Sequence, residues 1–209
     1  MRRTIMAKKK LSLLALLFLI LTAMVGCVLK RESPRSPQLV FPGYILDEDK
    51  EVLKGWLIKH PELRLAVDSD CKCSQDLIGM TQWYYPYGRI YHPYYAVGDF
   101  NCDGIRDFAV ALMNTEKKLF PFEIVIFNGP FCKKGFHKPS YVLKELNLEG
   151  GGLFYGPSCG VSWLLTFGPF ETETDSAFVP KGNTYEYKAV IEYKEDGTVE
   201  ELYPEKNNE

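Results

Sequence analysis

The sequence YYAVGDFNCDGIRDFAVAL, residues 94–112, combines two short apolar runs with a polar loop between them. Runs 94–97 and 108–112 are rich in aromatic and aliphatic residues, which is typical of short buried strands. Loop 99–107 contains asparagine, aspartate and glycine, the residue types that favour tight turns. The stretch therefore predicts two strands joined by a compact loop.

Further strand-like runs occur on both sides of this stretch, and turn signals separate several of them. Asn128-Gly129 follows one run, and Glu195-Asp196-Gly197 is a good hairpin turn between the last two. The other predicted strands cover residues 63–67, 123–127, 140–143, 161–167, 185–193 and 198–203.

One helix is predicted over residues 48–59. Val52, Leu53, Trp56 and Leu57 repeat at helical spacing, and a proline at position 61 ends the segment. Asp47 can cap its first turn. No second long amphipathic helix is visible, so we expect an α+β domain of mainly antiparallel β-sheet with this one N-terminal helix.

The loop has the spacing of a calcium site. Calcium takes six to eight oxygen ligands, and alternate residues of a tight loop can supply them. An EF-hand also needs an acidic residue at its twelfth place, where this chain has Val110 inside a predicted strand. The alternative is a tight Asx-rich hairpin that holds no ion. The candidate ligands are Asp99, Asn101, Asp103 and Asp107 through side chains and Ile105 through its carbonyl, with Gly104 at the sharp turn.

Residues 97–104 together with 107–110 resemble the FG-GAP/VCBS repeats, whose pattern is Gly-Asp-x-Asn-Gly-Asp-Gly-x-x-Asp. The resemblance implies the same calcium-binding roles for the five candidate ligands. Cys102 stands where the family usually has glycine, and the chain contains one copy of the motif. A β-propeller needs about four or more blades, so we do not expect a complete propeller.

The N-terminus has the pattern of an export signal. Five basic residues precede an apolar segment, residues 11–23, which is short for a membrane-spanning helix. The segment ends at Gly26-Cys27 and resembles the lipobox of bacterial lipoproteins, with Met24 where leucine is usual. The resemblance implies that Cys27 becomes acylated and holds the protein on a membrane of the bacterial cell envelope, facing the periplasm or exterior. The alternative is an uncleaved signal anchor.

The remaining chain is long enough for one domain with a real core. We expect a signal peptide at 1–26, the lipidated cysteine and a flexible tether at 27–43, a globular domain at 44–205 and a disordered tail at 206–209. Five of the 25 basic residues precede Cys27, which leaves 20 against 27 acidic residues. The resulting net charge of about −7, with no basic face, argues against a nucleic-acid partner.

Five other cysteines remain: Cys71, Cys73, Cys102, Cys132 and Cys159. An oxidising compartment makes two disulfides plausible, with one thiol left over. Cys71 and Cys73 are too close in sequence for an ordinary pair, so we expect each to have a different partner or one to stay free. Cys102 could tie the loop to a neighbour. A zinc site is disfavoured because there is no Cys-x-x-Cys pair and no histidine at ligand spacing.

Residues 83–95 are dense in aromatic side chains. Flat rings with polar edges can stack on sugars or anchor a protein interface, or they can cover a sheet as ordinary core. The candidate binding surface consists of Trp83, Tyr84, Tyr87 and Tyr91.

Signals for catalysis are weak. Gly156-Pro-Ser158-Cys-Gly160 matches the Gly-x-Ser-x-Gly elbow of hydrolases, but a strand rather than a helix is predicted after it and no histidine follows. Glu171, Glu173 and Asp175 are expected on a solvated face.

We therefore expect an exported lipoprotein with a calcium-stabilised binding or structural domain. Its partner would be an envelope protein or a glycan. The alternatives are an envelope hydrolase acting on glycan or cell-wall material, and an inhibitor-type lipoprotein that blocks a partner enzyme. Carboxylates converging in a deep pocket would favour an enzyme, whereas an aromatic patch without them would favour binding.

Overall fold

The computed structural model describes residues 39–84, 90–131, 136–157, 163–170, 175–193 and 199–201. The described fold lies within the compact unit Phe41–Glu209. The predicted signal peptide, Cys27, most of the tether and the C-terminal tail lie outside the described residues. Within those ranges, no helix has both the length and the apolar character needed to cross a membrane.

The described chain forms two α-helices, a short 3₁₀ turn at Asp68–Asp70 and ten strands. The helices are α1 (Asp47–Leu57) and α2 (Ser74–Tyr84). The strands are β1 (Leu63–Leu65), β2 (Tyr95–Gly98), β3 (Asp107–Asn114), β4 (Phe122–Phe127), β5 (Tyr141–Leu146), β6 (Gly151–Pro157), β7 (Trp163–Pro169), β8 (Asp175–Lys181), β9 (Thr184–Tyr193) and β10 (Val199–Glu201).

The strands make two antiparallel sheets of five strands each. In the first sheet the order is β1-β3-β4-β5, and β2 also pairs with β3. The second sheet has the order β10-β9-β8-β7-β6. Strands β2 and β3 pair from Tyr95 opposite Val110 to Gly98 opposite Asp107, so the loop joins two neighbouring antiparallel strands as predicted. The fold is thus α+β with mainly antiparallel sheet and is not a complete propeller, which confirms the prediction.

The first sheet is the middle layer of the domain. Ala109, Ile124 and Ile126 belong to a core cluster that also contains Leu165 and Phe178 of the second sheet. On the opposite face, the ring of Phe127 stacks on Phe108 with centroids 4.9 Å apart, and Trp56 of α1 contacts Phe127 edge-on. Strand β4 is buried at every position because it is covered on both faces.

Helix α1 begins at Asp47 and ends at Leu57, close to the predicted limits. Val52, Leu53 and Leu57 are buried, as their helical spacing predicts. Asp47 is the first helical residue rather than the cap, because the N-cap position is occupied by Leu46, which makes no side-chain cap bond. The Asp47 carboxylate instead pairs with Lys50 one turn later, at 2.7 Å.

Helix α2 and strands β6 and β8 are further elements that the sequence patterns did not predict. Ile78 of α2 is 61% exposed, so its apolar residues do not form one buried stripe. Strand β6 begins with Gly151-Gly152, which has the appearance of a turn in sequence. The structure shows that these glycines allow close approach: a Cβ at Gly152 would lie 2.2 Å from the Tyr91 hydroxyl.

Candidate functional site

Asp107 anchors the base of the predicted calcium loop. It is fully buried at the start of β3. Its Oδ2 accepts a hydrogen bond from the Phe100 N–H at 2.9 Å, and its Oδ1 accepts one from the Gly129 N–H at 3.0 Å. Burial raises the pKa of Asp107, and the nearby charge of Asp103 raises it further, while the backbone N–H groups act in the opposite direction.

The other loop oxygens accept hydrogen bonds from inside the loop. Asp99 accepts from the N–H groups of Asp103 at 3.0 Å and Gly104 at 2.9 Å. Asn101 Nδ2 donates to Asp103 Oδ2, and Asp103 Oδ1 accepts from the Ile105 N–H at 2.8 Å. The structure thus brings three predicted ligands, Asp99, Asn101 and Asp103, into one hydrogen-bonded turn.

The loop as described has the geometry of an Asx-rich turn. Among the described residues, no group of three or more histidine, cysteine, aspartate or glutamate side chains is placed to hold a metal ion. Asp107 lies at the loop base, while Ile105 contributes its N–H to the turn and has a 39% exposed side chain. Calcium binding by the five residues therefore stays a prediction.

Two loop residues adopt left-handed backbone conformations. Gly104 has φ = 81°, in agreement with its predicted role at the sharp turn, and Cys102 has φ = 61°. Glycine takes this conformation at least cost, which accounts for the glycine that the FG-GAP/VCBS pattern has at the position of Cys102. Cys102 is exposed and forms no disulfide with a described cysteine. Its predicted disulfide stays a prediction, since Cys132 and Cys159 lie outside the described residues.

The prediction that Cys71 and Cys73 would have different partners, or that one of them would stay free, is wrong. Their sulfur atoms lie at disulfide-bonding distance, and their Cα atoms are 5.2 Å apart. The chain bends at Lys72, whose N–H donates to the Glu149 carbonyl at 2.6 Å. This bend brings both buried cysteine side chains to the same side, which a count of residues between them does not reveal.

Arg106 connects the loop to helix α1. Its guanidinium donates to both carboxylate oxygens of Asp49 at 2.8 Å each, and these bonds raise the pKa of Arg106. Asp49 is fully buried and also accepts from the Tyr95 hydroxyl at 2.5 Å. Sequence reasoning missed this pair, although Asp49 lies on the same helical face as Val52 and Leu53, where a carboxylate needs a partner.

A cavity of about 660 Å³ lies beside the loop, between β2, β6, segment 90–92 and the residues before α1. Tyr155 belongs to both the cavity wall and the loop contacts, because its hydroxyl donates to the Asp99 carbonyl at 2.8 Å. A Cβ at Gly98 would lie 1.9 Å from the Tyr155 ring, so this close approach requires glycine. We call this cavity the aromatic pocket; it is lined by Tyr44, Leu46, Ile90, Tyr91, His92, Tyr95, Ala96, Val97, Leu153 and Tyr155.

One corner of the aromatic pocket is organised by Asp68. The Tyr44 hydroxyl donates to Asp68 Oδ1 at 3.3 Å, and His92 Nδ1 lies 3.0 Å from Asp68 Oδ2. The Tyr44 and His92 rings stack with centroids 3.6 Å apart. Among the described residues, no aspartate, glutamate, lysine or arginine lines the pocket itself.

The predicted aromatic surface is placed only in part. Tyr91 lines the aromatic pocket, is 7% exposed, and stacks on Phe154, so it belongs to both the core and the pocket wall. The side chains of Trp83 and Tyr84, in α2, and the whole of Tyr87 lie outside the described residues. Sequence reasoning did not select Tyr44 and Tyr155, which reach the pocket from distant segments.

Most residues of the weak catalytic signals lie outside the part of the chain that the structure describes. Ser158 and Gly160 of the Gly-x-Ser-x-Gly match lie outside the described residues, as do Glu171 and Glu173. The next described element is a strand, β7, as predicted. Asp175 is partly buried at the start of β8 rather than fully solvated, and burial raises its pKa.

Comparison with known protein families, with curated proteins and with solved structures finds no match to this chain.

Proposed function

We propose that this protein is an exported, lipid-anchored binding module whose aromatic pocket is stabilised by calcium in the adjoining loop. The observation that carries the proposal is the composition of the aromatic pocket. Its described wall contains four tyrosines and a histidine but no carboxylate. Pockets of about 300–1,000 Å³ with mainly apolar and aromatic walls are typical of ligand binding. Hydrolysis of a glycosidic bond instead needs a pair of carboxylates facing the substrate.

Charge in the loop supports the calcium part of the proposal. Asp99, Asp103 and Asp107 are all carboxylates, and no described lysine, arginine or histidine forms an ion pair with them. The one cationic side chain of the loop, Arg106, pairs with Asp49 and Glu48 instead. A divalent cation would supply the missing positive charge and would lower the raised pKa of Asp107.

Calcium is expected to raise the melting temperature of the full chain. A site with a Kd of about 0.1 mM, in about 1 mM calcium, stabilises the fold by about 1.4 kcal/mol. For a domain of this size that corresponds to about 3–6 °C. Circular dichroism melting curves in calcium and in chelator measure the shift. Asp103→Ala should abolish it, whereas Asp47→Ala, outside the loop and 95% exposed, should retain it. Identical wild-type curves in calcium and in chelator would end the calcium proposal.

The lipid anchor is tested by acyl incorporation. The support for it is the pattern of the N-terminus, where an apolar segment is followed by Gly26-Cys27. Bacteria that express the full chain and are fed labelled palmitate should label the wild-type protein and leave Cys27→Ser unlabelled. Cys102→Ser is the matched control and should remain labelled, because Cys102 is an exposed cysteine of the folded domain. Equal labelling of Cys27→Ser and the wild type would contradict the anchor.

A further inference from the structure

Three of the four tyrosine hydroxyls of the aromatic pocket donate their protons to the protein. Tyr44 donates to Asp68 at 3.3 Å, Tyr95 to Asp49 at 2.5 Å and Tyr155 to the Asp99 carbonyl at 2.8 Å. A phenol has one proton to donate, so towards a ligand these groups can only accept. Burial raises the pKa of all three tyrosines, which keeps them neutral and keeps these bonds in place at neutral pH.

Among the described residues, the carboxylates of Asp49 and Asp68 form hydrogen bonds to side chains of the pocket wall. Asp49 contacts Tyr95 and is neutralised by Arg106. Asp68 contacts Tyr44 and His92, and its only described ion-pair partner is His92, which is charged only when protonated. The Asp68 side chain is also 41% exposed, so it faces solvent at this corner. The Asp68 carboxylate places negative charge at this corner of the pocket, and negative charge attracts cations and repels anions.

The aromatic composition of the pocket wall favours the same kind of ligand. Tyrosine rings have a negative face that attracts an ammonium group, and several such rings around one cavity form the cages that recognise methylated ammonium groups. The pocket has four tyrosines, and the apolar side chains of Leu46, Val97 and Leu153 can contact an alkyl chain. Its volume of about 660 Å³ accommodates a small ligand of this kind.

A guanidinium group fits less well than an ammonium group. Guanidinium is recognised best by a carboxylate that is free to accept two parallel hydrogen bonds. Both oxygens of Asp68 are already engaged, Oδ1 by Tyr44 and Oδ2 by His92. An alkylammonium group needs only the negative field and the ring faces.

We propose that the aromatic pocket binds a small organic cation, an alkylammonium head group on a short alkyl chain. This inference rests on the proposed binding function and names its ligand class. Asp68 supplies the charge, and the tyrosine-lined wall contacts the head group.

The test compares choline with its neutral isostere, 3,3-dimethyl-1-butanol, by isothermal titration calorimetry. The calorimetry uses the full chain, dissolved in a nonionic polyoxyethylene detergent in the presence of calcium. Choline should bind about tenfold or more tightly than the isostere, because only choline gains the cation–π and charge interactions. Asp68→Asn should weaken choline binding about threefold or more and leave isostere binding unchanged. Glu116→Gln is the matched control, since it removes an exposed negative charge beyond the far end of β3 and should leave both unchanged.

Two further ligands test the proposed ligand class separately from the proposed binding function. Methylguanidinium should bind more weakly than choline, and a neutral sugar such as N-acetylglucosamine should not compete with it. If the isostere or the sugar binds as tightly as choline, the organic-cation inference is wrong while the binding module stands. If choline, methylguanidinium, the isostere and the sugar all fail to bind, the organic-cation inference is wrong and the proposed binding function loses its support as well. The wild-type comparison needs no variant, so it holds even if Asp68→Asn fails to fold.

Discussion

Replacing Asp49 by alanine is expected to lower the free energy of unfolding by about 3 kcal/mol. The Asp49 side chain is fully buried and holds the Arg106 guanidinium through two hydrogen bonds of 2.8 Å. Removing one partner leaves the other charge without compensation, which costs more than the pair itself contributes. The Tyr95 hydroxyl would also lose its acceptor. The loss lies at the lower end of the range for buried pairs because the Arg106 side chain is 30% exposed and can reach water.

Urea unfolding followed by tryptophan fluorescence measures this loss, since the chain contains three tryptophans. Glu48→Ala is the matched control. Glu48 lies next to Asp49 in sequence and contacts the same guanidinium at 3.2 Å, but its side chain is 71% exposed. Exposed ion pairs contribute about 0–1 kcal/mol, so this variant should remain close to the wild type. Similar stabilities for the two variants would show that the Asp49–Arg106 pair does not connect α1 to the loop.

Phe127→Ala is expected to lower the free energy of unfolding by about 3–5 kcal/mol. The Phe127 side chain is 1% exposed, and its ring lies between Phe108, with centroids 4.9 Å apart, and Trp56, at 6.3 Å. Alanine would leave a cavity between α1 and the first sheet, where close-packed neighbours relax only in part.

The control for Phe127→Ala is Leu119→Ala, another truncation of a large apolar side chain. Leu119 is 78% exposed between β3 and β4, so its removal should change stability by less than about 0.5 kcal/mol. The urea unfolding midpoints of the two variants measure how much stability each truncation removes. An equal, small effect of the two truncations would mean that α1 does not cover the Phe127 face of the sheet.

Helix α1 and strands β2, β3 and β4 were predictable because their signals are local. Buried residues of α1 repeat at helical spacing, and the runs around the loop are short and apolar. The left-handed φ of Gly104 was likewise signalled by its place in the turn. Helix α2 could not be recognised in the same way, since residues such as Ile78 leave it without a clear apolar stripe.

Strand β6 shows how a tertiary contact can reverse a local signal. Gly151-Gly152 would ordinarily indicate a turn, but the space next to Gly152 is occupied by the Tyr91 hydroxyl. The same holds for Cys71 and Cys73, whose pairing depends on a bend at Lys72. For Gly152 the deciding contact comes from a residue far away in the sequence. For the two cysteines it is the bend at Lys72, which the spacing of the residues does not reveal.

The two parts of the candidate site differ in the same way: the loop could be predicted from the local sequence, whereas the aromatic pocket could not. Spacing within nine consecutive residues is enough to identify the loop and its oxygen-bearing side chains, because all of them lie in one turn of the chain. The aromatic pocket could not be derived that way. Its wall joins Tyr44, segment 90–97 and Tyr155, and these meet only because β2 of the first sheet lies beside β6 of the second. Local spacing therefore determines the elements and the loop, whereas long-range packing assembles the pocket and pairs Arg106 with Asp49.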